Sequence, residues 1–260
     1  MSRLTYYISS IPALLGGIRN PQVAIALLAG KAPQTVAFSS GLRLGVRSLM
    51  ELWIAKETCL DRQYEVFGVP IQNDWVVMDV GAGIGDFAVM VAREHPAARV
   101  YAFEPFVDSF KLLEANAKLN GVKNIIARPV AIGAKTGELV LATTGASVQH
   151  TTTGSTRQGS AVAELRVQSI SLDDLFNGPD AIPKCDFMKM DCEGAEYDIF
   201  FNAAPQTLAK IDRICMEYHD ELTAHNHNEL AQFFQSHGYS VKSEVNPVHG
   251  YIGLMYAWRK

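Results

Sequence analysis

Short apolar runs of strand character alternate along the chain with longer stretches of helical spacing, and this order predicts an α/β fold. Val76, Val77, Met78 and Val80 form an almost unbroken apolar run that ends at Gly81, Gly83 and Gly85, and a helical pattern starts at once at Asp86. That is the signature of a parallel strand buried on both faces, a tight turn and a helix N-terminus. The first core helix is predicted from about Asp86 to Glu94. The second runs from about Val107 to Asn120, with Asp108 as its N-cap and Gly121 as its stop. Val100–Phe103, Ile125–Ile132, Asp186–Met190 and Ile211–Tyr218 supply the second to fifth core strands. A helix over Asn228–His237, stopped by Gly238, precedes two closing strands, Tyr239–Val245 and Tyr251–Arg259. These are joined too tightly for a helical crossover and must pair antiparallel at the sheet edge.

Ahead of this core, Ile11–Gly16 and Val23–Gly30 read as short helices, Thr35–Arg47 as a hairpin and Leu49–Leu60 as an amphipathic helix. Glu138–Ala142 and Glu164–Ile170 read as a second hairpin. Its polar link, Thr143–Ser160, is long enough for a lid or an acceptor-binding loop. The organisation expected is an N-terminal helical and hairpin cap over residues 1–70 and one core domain over 71–260.

The glycine turn carries the first chemical signal. Without Cβ atoms at Gly81 and Gly83 a bulky ligand can lie against the main chain. Glu104 follows the second strand, where its carboxylate can accept hydrogen bonds from both hydroxyls of a ribose. A nucleoside-containing cofactor is therefore expected. A dinucleotide needs G-x-G-x-x-G/A, because its last small residue packs the helix against the strand beneath a pyrophosphate. Residues 81–86 read G-A-G-I-G-D, so Asp86 stands at that position, and a carboxylate at a helix N-terminus repels a pyrophosphate. A cofactor without phosphates, S-adenosyl-L-methionine, fits better.

Composition narrows the class without changing this reading. The 260 residues are enough to bury a sizeable core, and 48% hydrophobic against 19% charged residues excludes a disordered or fibrous chain. A net charge of −4 with no Lys/Arg block argues against a nucleic-acid partner. Cys59, Cys185, Cys192 and Cys215 form no C-x-x-C pair, which reads as reduced thiols and a cytoplasmic location. Arg19, Asn20 and Pro21 interrupt the N-terminal apolar runs, so neither spans a bilayer or reads as a signal peptide. The N-terminal helices are expected to cap the domain or to pack on a second copy in a homo-oligomer.

The closing antiparallel hairpin separates this pattern from a dinucleotide domain, which ends on a parallel strand. It points to a class I methyltransferase, a Rossmann-like fold of seven mostly parallel strands. VVMDVGAGIGDF, AFEPFVDSFKLLEANAKLNG, VQSISLDDLF and, above all, DFMKMDCEGAEYDIF over Asp186–Phe200 resemble the FkbM family of S-adenosylmethionine-dependent methyltransferases. The resemblance covers about Glu57 to Tyr218, and the D-x-E-G-A-E segment at Asp191–Glu196 is its most specific part. It departs from the family at Gly83, where an asparagine is usual; glycine suits the same tight turn. The resemblance implies O-methylation of a hydroxyl on a sugar, glycan or secondary metabolite. It further implies that Asp79, Gly81, Ala82 and Gly83 lie under the methionine part of the cofactor and Glu104 with Pro105 at the ribose. Phe106 would cover one adenine face, with Ala131 and Ile132 near the other.

The reacting groups are expected at the carboxyl ends of the fourth and fifth strands, beside the glycine turn. Strand alternation lets Asp191 and Glu193 share one face, as do Glu217 and His219. His219, as an ordinary imidazole near pKa 6.5, is the first choice for general base. Asp191 is the second, or it holds the ammonium group of the methionine part, and Glu217 orients His219 or the acceptor. A capping role is expected for Glu193 or Glu196. The sharper alternative is Mg²⁺ or Mn²⁺ held by Asp191, Glu193, Glu217 and His219, although no metal is the reading adopted. His225 and His227 read as solvated loop residues. Other functions left open are a small-molecule N- or carboxyl-methyltransferase, a nicotinamide-dependent oxidoreductase, for which no Tyr-x-x-x-Lys pair is visible, and a non-catalytic methyltransferase-like partner protein.

Overall fold

The computed structural model describes residues 12–68, 70–143, 150–152 and 163–259. Most of the Thr143–Ser160 link lies outside the described residues. The strands in chain order are β1 (Gln34–Ala37), β2 (Arg43–Val46), β3 (Val76–Val80), β4 (Arg99–Phe103), β5 (Ile125–Arg128), β6 (Ala131–Gly133), β7 (Gly137–Thr143), β8 (His150–Thr152), β9 (Ala163–Ser171), β10 (Phe187–Met190), β11 (Arg213–His219), β12 (Ser240–Val245) and β13 (Ile252–Trp258). Seven of them form one sheet in the order β12-β13-β11-β10-β3-β4-β5. The neighbours from β11 to β5 run parallel, and β13 is inserted antiparallel between β11 and β12. This is the class I methyltransferase arrangement. The chain leaves β3 toward β4 on one side and returns to β10 on the other, so the sheet has its switch point at the end of β3.

Each face of the sheet is covered by its own apolar core. One face packs against Phe87, Val89, Val91 and Leu113 of helices Asp86–Glu94 and Val107–Asn120, and against Phe38, Leu44 and Leu52 of the N-terminal region. The other packs against Phe176, Tyr197, Phe200, Leu230 and Phe234 from helices Leu172–Asn177, Glu196–Phe201 and His227–Ser236. Val77, Met78, Val80, Phe103, Phe187 and Met190 are buried from both sides, which is why these strands read as continuous apolar runs. Among the described residues no helix is long and apolar enough to cross a membrane.

Three local features differ from the sequence pattern. The third strand stops at Arg128, because Pro129 has no N–H to continue the ladder. Ala131–Gly133 instead pairs parallel with β9 in a separate four-stranded sheet of order β6-β9-β7-β8. Helix Val107–Asn120 is capped by the extended backbone of Phe106 with no side-chain hydrogen bond, so Asp108 is not its N-cap. Helix Leu49–Cys59 buries Glu51, Lys56 and Thr58 while Leu49 and Met50 are exposed. Its buried charges are paired, Arg47 with Glu51 at 2.5 Å and Lys56 with Asp61 at 2.5 Å. This helix forms part of a cavity wall rather than a plain core contact.

Candidate active site

The end of β3 builds the floor of that cavity. Gly81 has φ +71°, and a Cβ there would lie 2.0 Å from the Asp191 carbonyl oxygen, so the turn needs glycine for both conformation and space. Gly83 has φ +53° and nothing within 4 Å of its would-be Cβ, because that side faces the opening. Gly81 N–H and Ala82 N–H both donate to the Phe103 carbonyl, which ties the turn to β4.

Beneath the turn lies a charged pair of which only Asp79 was expected at the site. Lys189, in the middle of β10, donates to the Gly81 carbonyl at 2.7 Å and reaches Asp79 Oδ1 at 3.1 Å. Both side chains are buried, and Asp79 also accepts from Ala88 N–H of the following helix at 3.1 Å. Asp79 therefore anchors the turn from below and is not part of the cavity wall. A lysine inside a run buried on both faces was the available sequence signal, since such a residue requires a buried partner.

Glu104 stands at the rim of β4. Its Oε2 accepts from Gly83 N–H at 2.7 Å and its Oε1 from Phe106 N–H at 2.9 Å. Each oxygen keeps a second acceptor position toward the cavity it lines. Burial raises the Glu104 carboxyl from 4.5 to about 7, against the two N–H donors and Lys189, with Asp79 adding to the rise. Asp86, the first residue of its helix, is likewise raised by burial to about 6.

The cavity holds about 820 Å³. Of the residues expected at the cofactor, Gly81, Ala82, Gly83, Glu104 and Pro105 line it, as do Phe106, Ala131, Ile132 and Asp191. Met50, Trp53, Ile54 and Glu57 of the N-terminal helix line it too, with Val248 and His249 of the closing hairpin. Tyr64 also lines it and donates to Asp191 Oδ2 at 3.3 Å, whereas Asp61 is engaged with Lys56.

Four carboxylates and one imidazole meet at the ends of β10 and β11. His219, 3% exposed, places Nδ1 3.4 Å from Glu196 Oε1 and Nε2 3.6 Å from Glu193 Oε2 and 3.7 Å from Glu217 Oε1. Donor atoms of Asp191, Glu196 and His219 lie within 4.8 Å of one another. Burial opposes the imidazolium, but Glu196, Glu193 and Asp191 outweigh it and raise the His219 pKa well above 6.5. The ordinary imidazole expected at this position is thus replaced by one that holds its proton, and it cannot act as a free base in that state. Burial, with Asp191, raises Glu217 to about 8, and burial with Asp191 and Glu196 raises Glu193 to about 7; His219 opposes both shifts.

The expected side-chain cap is absent: Glu196 opens its helix, but its two oxygens accept from Cys192 N–H at 2.7 Å and Gly194 N–H at 2.9 Å and so pin the turn that precedes the helix. Glu193 is held with φ +53° and faces the cavity. His225 and His227 do not line the cavity; they pair with Glu229 at 2.9 Å and Asp220 at 2.5 Å.

Comparison with known proteins bears on this geometry. Residues 79–241 match the family model described as the methyltransferase FkbM domain. The chain is 26% identical over 184 residues to Methyltransferase 1 of Beauveria bassiana, covering 65% of this chain and 73% of that protein. It is 25% identical over 249 residues to the AMB antimetabolite synthetase AmbE of Pseudomonas aeruginosa, covering 79% of this chain but spanning only 11% of AmbE. A 65-residue segment is 43% identical to the 31-O-demethyl-FK506 methyltransferase FkbM of Streptomyces tacrolimicus, 25% of each chain. Among solved structures, methyltransferase FkbM of Methylobacillus flagellatus superposes with a TM-score of 0.50 at 14% identity, over 98% of this chain and 60% of that one, a likeness of fold.

Proposed function

The chain belongs to the FkbM family of methyltransferases, with S-adenosylmethionine as methyl donor, and from that premise we propose that it methylates a hydroxyl oxygen of a saccharide or related small natural product. The observation that carries the proposal is the meeting of Asp191, Glu193 and Glu217 in the wall of the cavity that the glycine turn floors. Carboxylates accept hydrogen bonds, so a wall of them suits an acceptor that arrives with an O–H to donate. The relative from Streptomyces tacrolimicus, whose name places its methyl group on an oxygen, supports the same reading.

The residues present fit the donor. Asp86, Glu104, Asp191, Glu193 and Glu217 line one cavity, while Lys189, the buried ammonium there, is engaged by Asp79 and Gly81. Such a wall disfavours phosphates and favours a ligand that brings positive charge. The open side of Gly83 leaves room for a ligand against the main chain. Glu104 would take the ribose hydroxyls on its free acceptor positions, with Phe106, Ala131 and Ile132 around the base. When bound, S-adenosylmethionine supplies a methyl group already activated on a sulfonium.

What remains for the protein is alignment and the proton. Positioning the acceptor oxygen in line and excluding water can supply about 7–11 kcal/mol. As the new C–O bond forms, the hydroxyl proton would pass to Glu217 in its ionised form, the majority form above about pH 8, with His219 holding Glu217 and Glu193 in place as a positioning residue. The products are a methyl ether, the neutral thioether and a protonated carboxylate that returns its proton to solvent.

The test is transfer of an isotopically labelled methyl group to a panel of glycosides and hydroxylated natural products, with the methylated atom located by NMR. Label on oxygen, and a kcat reduced about 10²–10⁴-fold in Glu217→Gln with S-adenosylhomocysteine binding retained, is the expected result. Label on nitrogen or a carboxylate would overturn it.

A further inference from the structure

The carboxylates around His219 outnumber the positive charge available to them. Asp191, Glu193, Glu196 and Glu217 surround one imidazole, and Lys189 is spent on Asp79 and the Gly81 carbonyl. His219 Nδ1 is buried and makes no hydrogen bond, and its 3.4 Å approach to Glu196 Oε1 lacks hydrogen-bond geometry. The spacing suits something else. Two donor atoms bound to one cation at about 2.1 Å stand roughly 3.0–3.4 Å apart at octahedral or tetrahedral angles. Glu196 is pinned by two backbone N–H groups, yet each of its oxygens has an acceptor position left. It lies behind the wall, whereas Asp191 and His219 are in it, so the far side of an ion held by these three would open on the cavity.

We propose that Asp191, Glu196 and His219 Nδ1 form a binding site for one divalent cation, with Mn²⁺, which carboxylates suit, as the ion to test. The cation takes the place of the imidazole proton and supplies the charge that the four carboxylates lack. This assigns Asp191 to the ion rather than to the donor's ammonium group or to proton removal. An acceptor oxygen on the open side of the ion would be polarised and oriented next to Glu217, the part a Lewis acid plays in transfer to a poor nucleophile. The site stands on its own residues and does not depend on which acceptor is used.

The experiment uses the full chain, stripped of metal with EDTA and then freed of the chelator. MnCl₂ is titrated calorimetrically, the bound ion is examined by pulsed electron paramagnetic resonance, and S-adenosylhomocysteine binding is measured on the same samples. One Mn²⁺ per chain is expected, with coupling to an imidazole ¹⁴N, and at least tenfold weaker binding without that coupling in His219→Ala. Asp191→Asn provides a second, nearly isosteric variant should His219→Ala fail to fold, with the same tenfold weakening expected. Absence of Mn²⁺ binding from a protein that still binds S-adenosylhomocysteine would overturn the site and leave the methyltransferase intact. Mn²⁺ bound without nitrogen coupling, or equally well by both variants, would overturn it too, by placing the ion elsewhere on the acidic surface.

Discussion

The contact proposed between Glu104 and the donor's ribose predicts an affinity that depends on pH. Burial lifts its pKa from 4.5 to about 7, with Asp79 adding to the rise and Lys189 opposing it. In the proposed site the ribose hydroxyls take both oxygens as acceptors, so the ligand would select the ionised form and its binding would release a proton. About nine in ten ligand-free molecules are ionised near pH 8 and about one in ten near pH 6, and apparent affinity falls with that fraction. The dissociation constant of S-adenosylhomocysteine should therefore rise about tenfold between those values, about 1.4 kcal/mol. Glu104→Gln removes the titration and one charge-assisted acceptor, which should weaken binding about 10- to 100-fold near pH 8 and flatten the profile. Asp86, Glu193 and Glu217 titrate in the same range, so the comparison of the two proteins isolates Glu104. Stability has the opposite pH dependence. The unfolded side chain ionises near 4.5 while the native one keeps its proton to about 7, so this contribution is full below 4.5 and is lost as pH rises toward 7. Calorimetric titration at several pH values decides the matter. Parallel slopes in wild type and Glu104→Gln would refute the reasoning.

Two glycines a residue apart should behave differently. Gly81→Ala places a methyl group 2.0 Å from the Asp191 carbonyl oxygen and should cost at least about 3 kcal/mol, seen as a fall of about 10 °C in thermal unfolding. Gly83→Ala meets open space and should cost only about 1–2 kcal/mol for its positive φ, yet weaken S-adenosylhomocysteine binding; equal melting of the two variants would contradict this. Lys189→Met leaves Asp79 buried without its counter-charge and should destabilise by about 3–5 kcal/mol in denaturant titration, a change under 1 kcal/mol counting against the pair.

The parts of this protein legible in its sequence are those governed by short-range periodicity. Helices Asp86–Glu94 and Val107–Asn120 fall where apolar spacing, a glycine turn and Gly121 put them. The glycine turn with Glu104 identified the cavity floor, since strand, turn, helix and acid all lie within one βαβ unit. The hairpin expected from Glu138–Ala142 and Glu164–Ile170 is present as β7 and β9, but its extension into a four-stranded sheet was not legible, because β6 pairs with β9 across a long separation that leaves no local signal. Pro129 did mark the break in the third strand, but an apolar run continued on both sides of it and concealed the change of sheet. For His219 the sequence supplied a position at the end of a strand. Its protonation is set by Glu193 and Glu196, which arrive from the preceding βα turn, and no pattern around residue 219 reports them.

Charge, more than the glycine turn, decides what this fold can hold. Glycine turns serve pyrophosphates and sulfonium donors alike, because both need the main chain close to the ligand. A pyrophosphate site would also leave the helix N-terminus free of acids. Here Asp86 occupies the first helical position, and Lys189 lies below the turn with its charge engaged by Asp79. The strand ends that face the opening contribute Glu104, Asp191 and Glu217. Glu104 and Glu217 are raised by burial, a cost that a positive ligand or a bound cation would offset. The same acid surplus that disfavours a dinucleotide suits a cationic methyl donor, and the proposed divalent ion would draw on it through Asp191, Glu196 and His219.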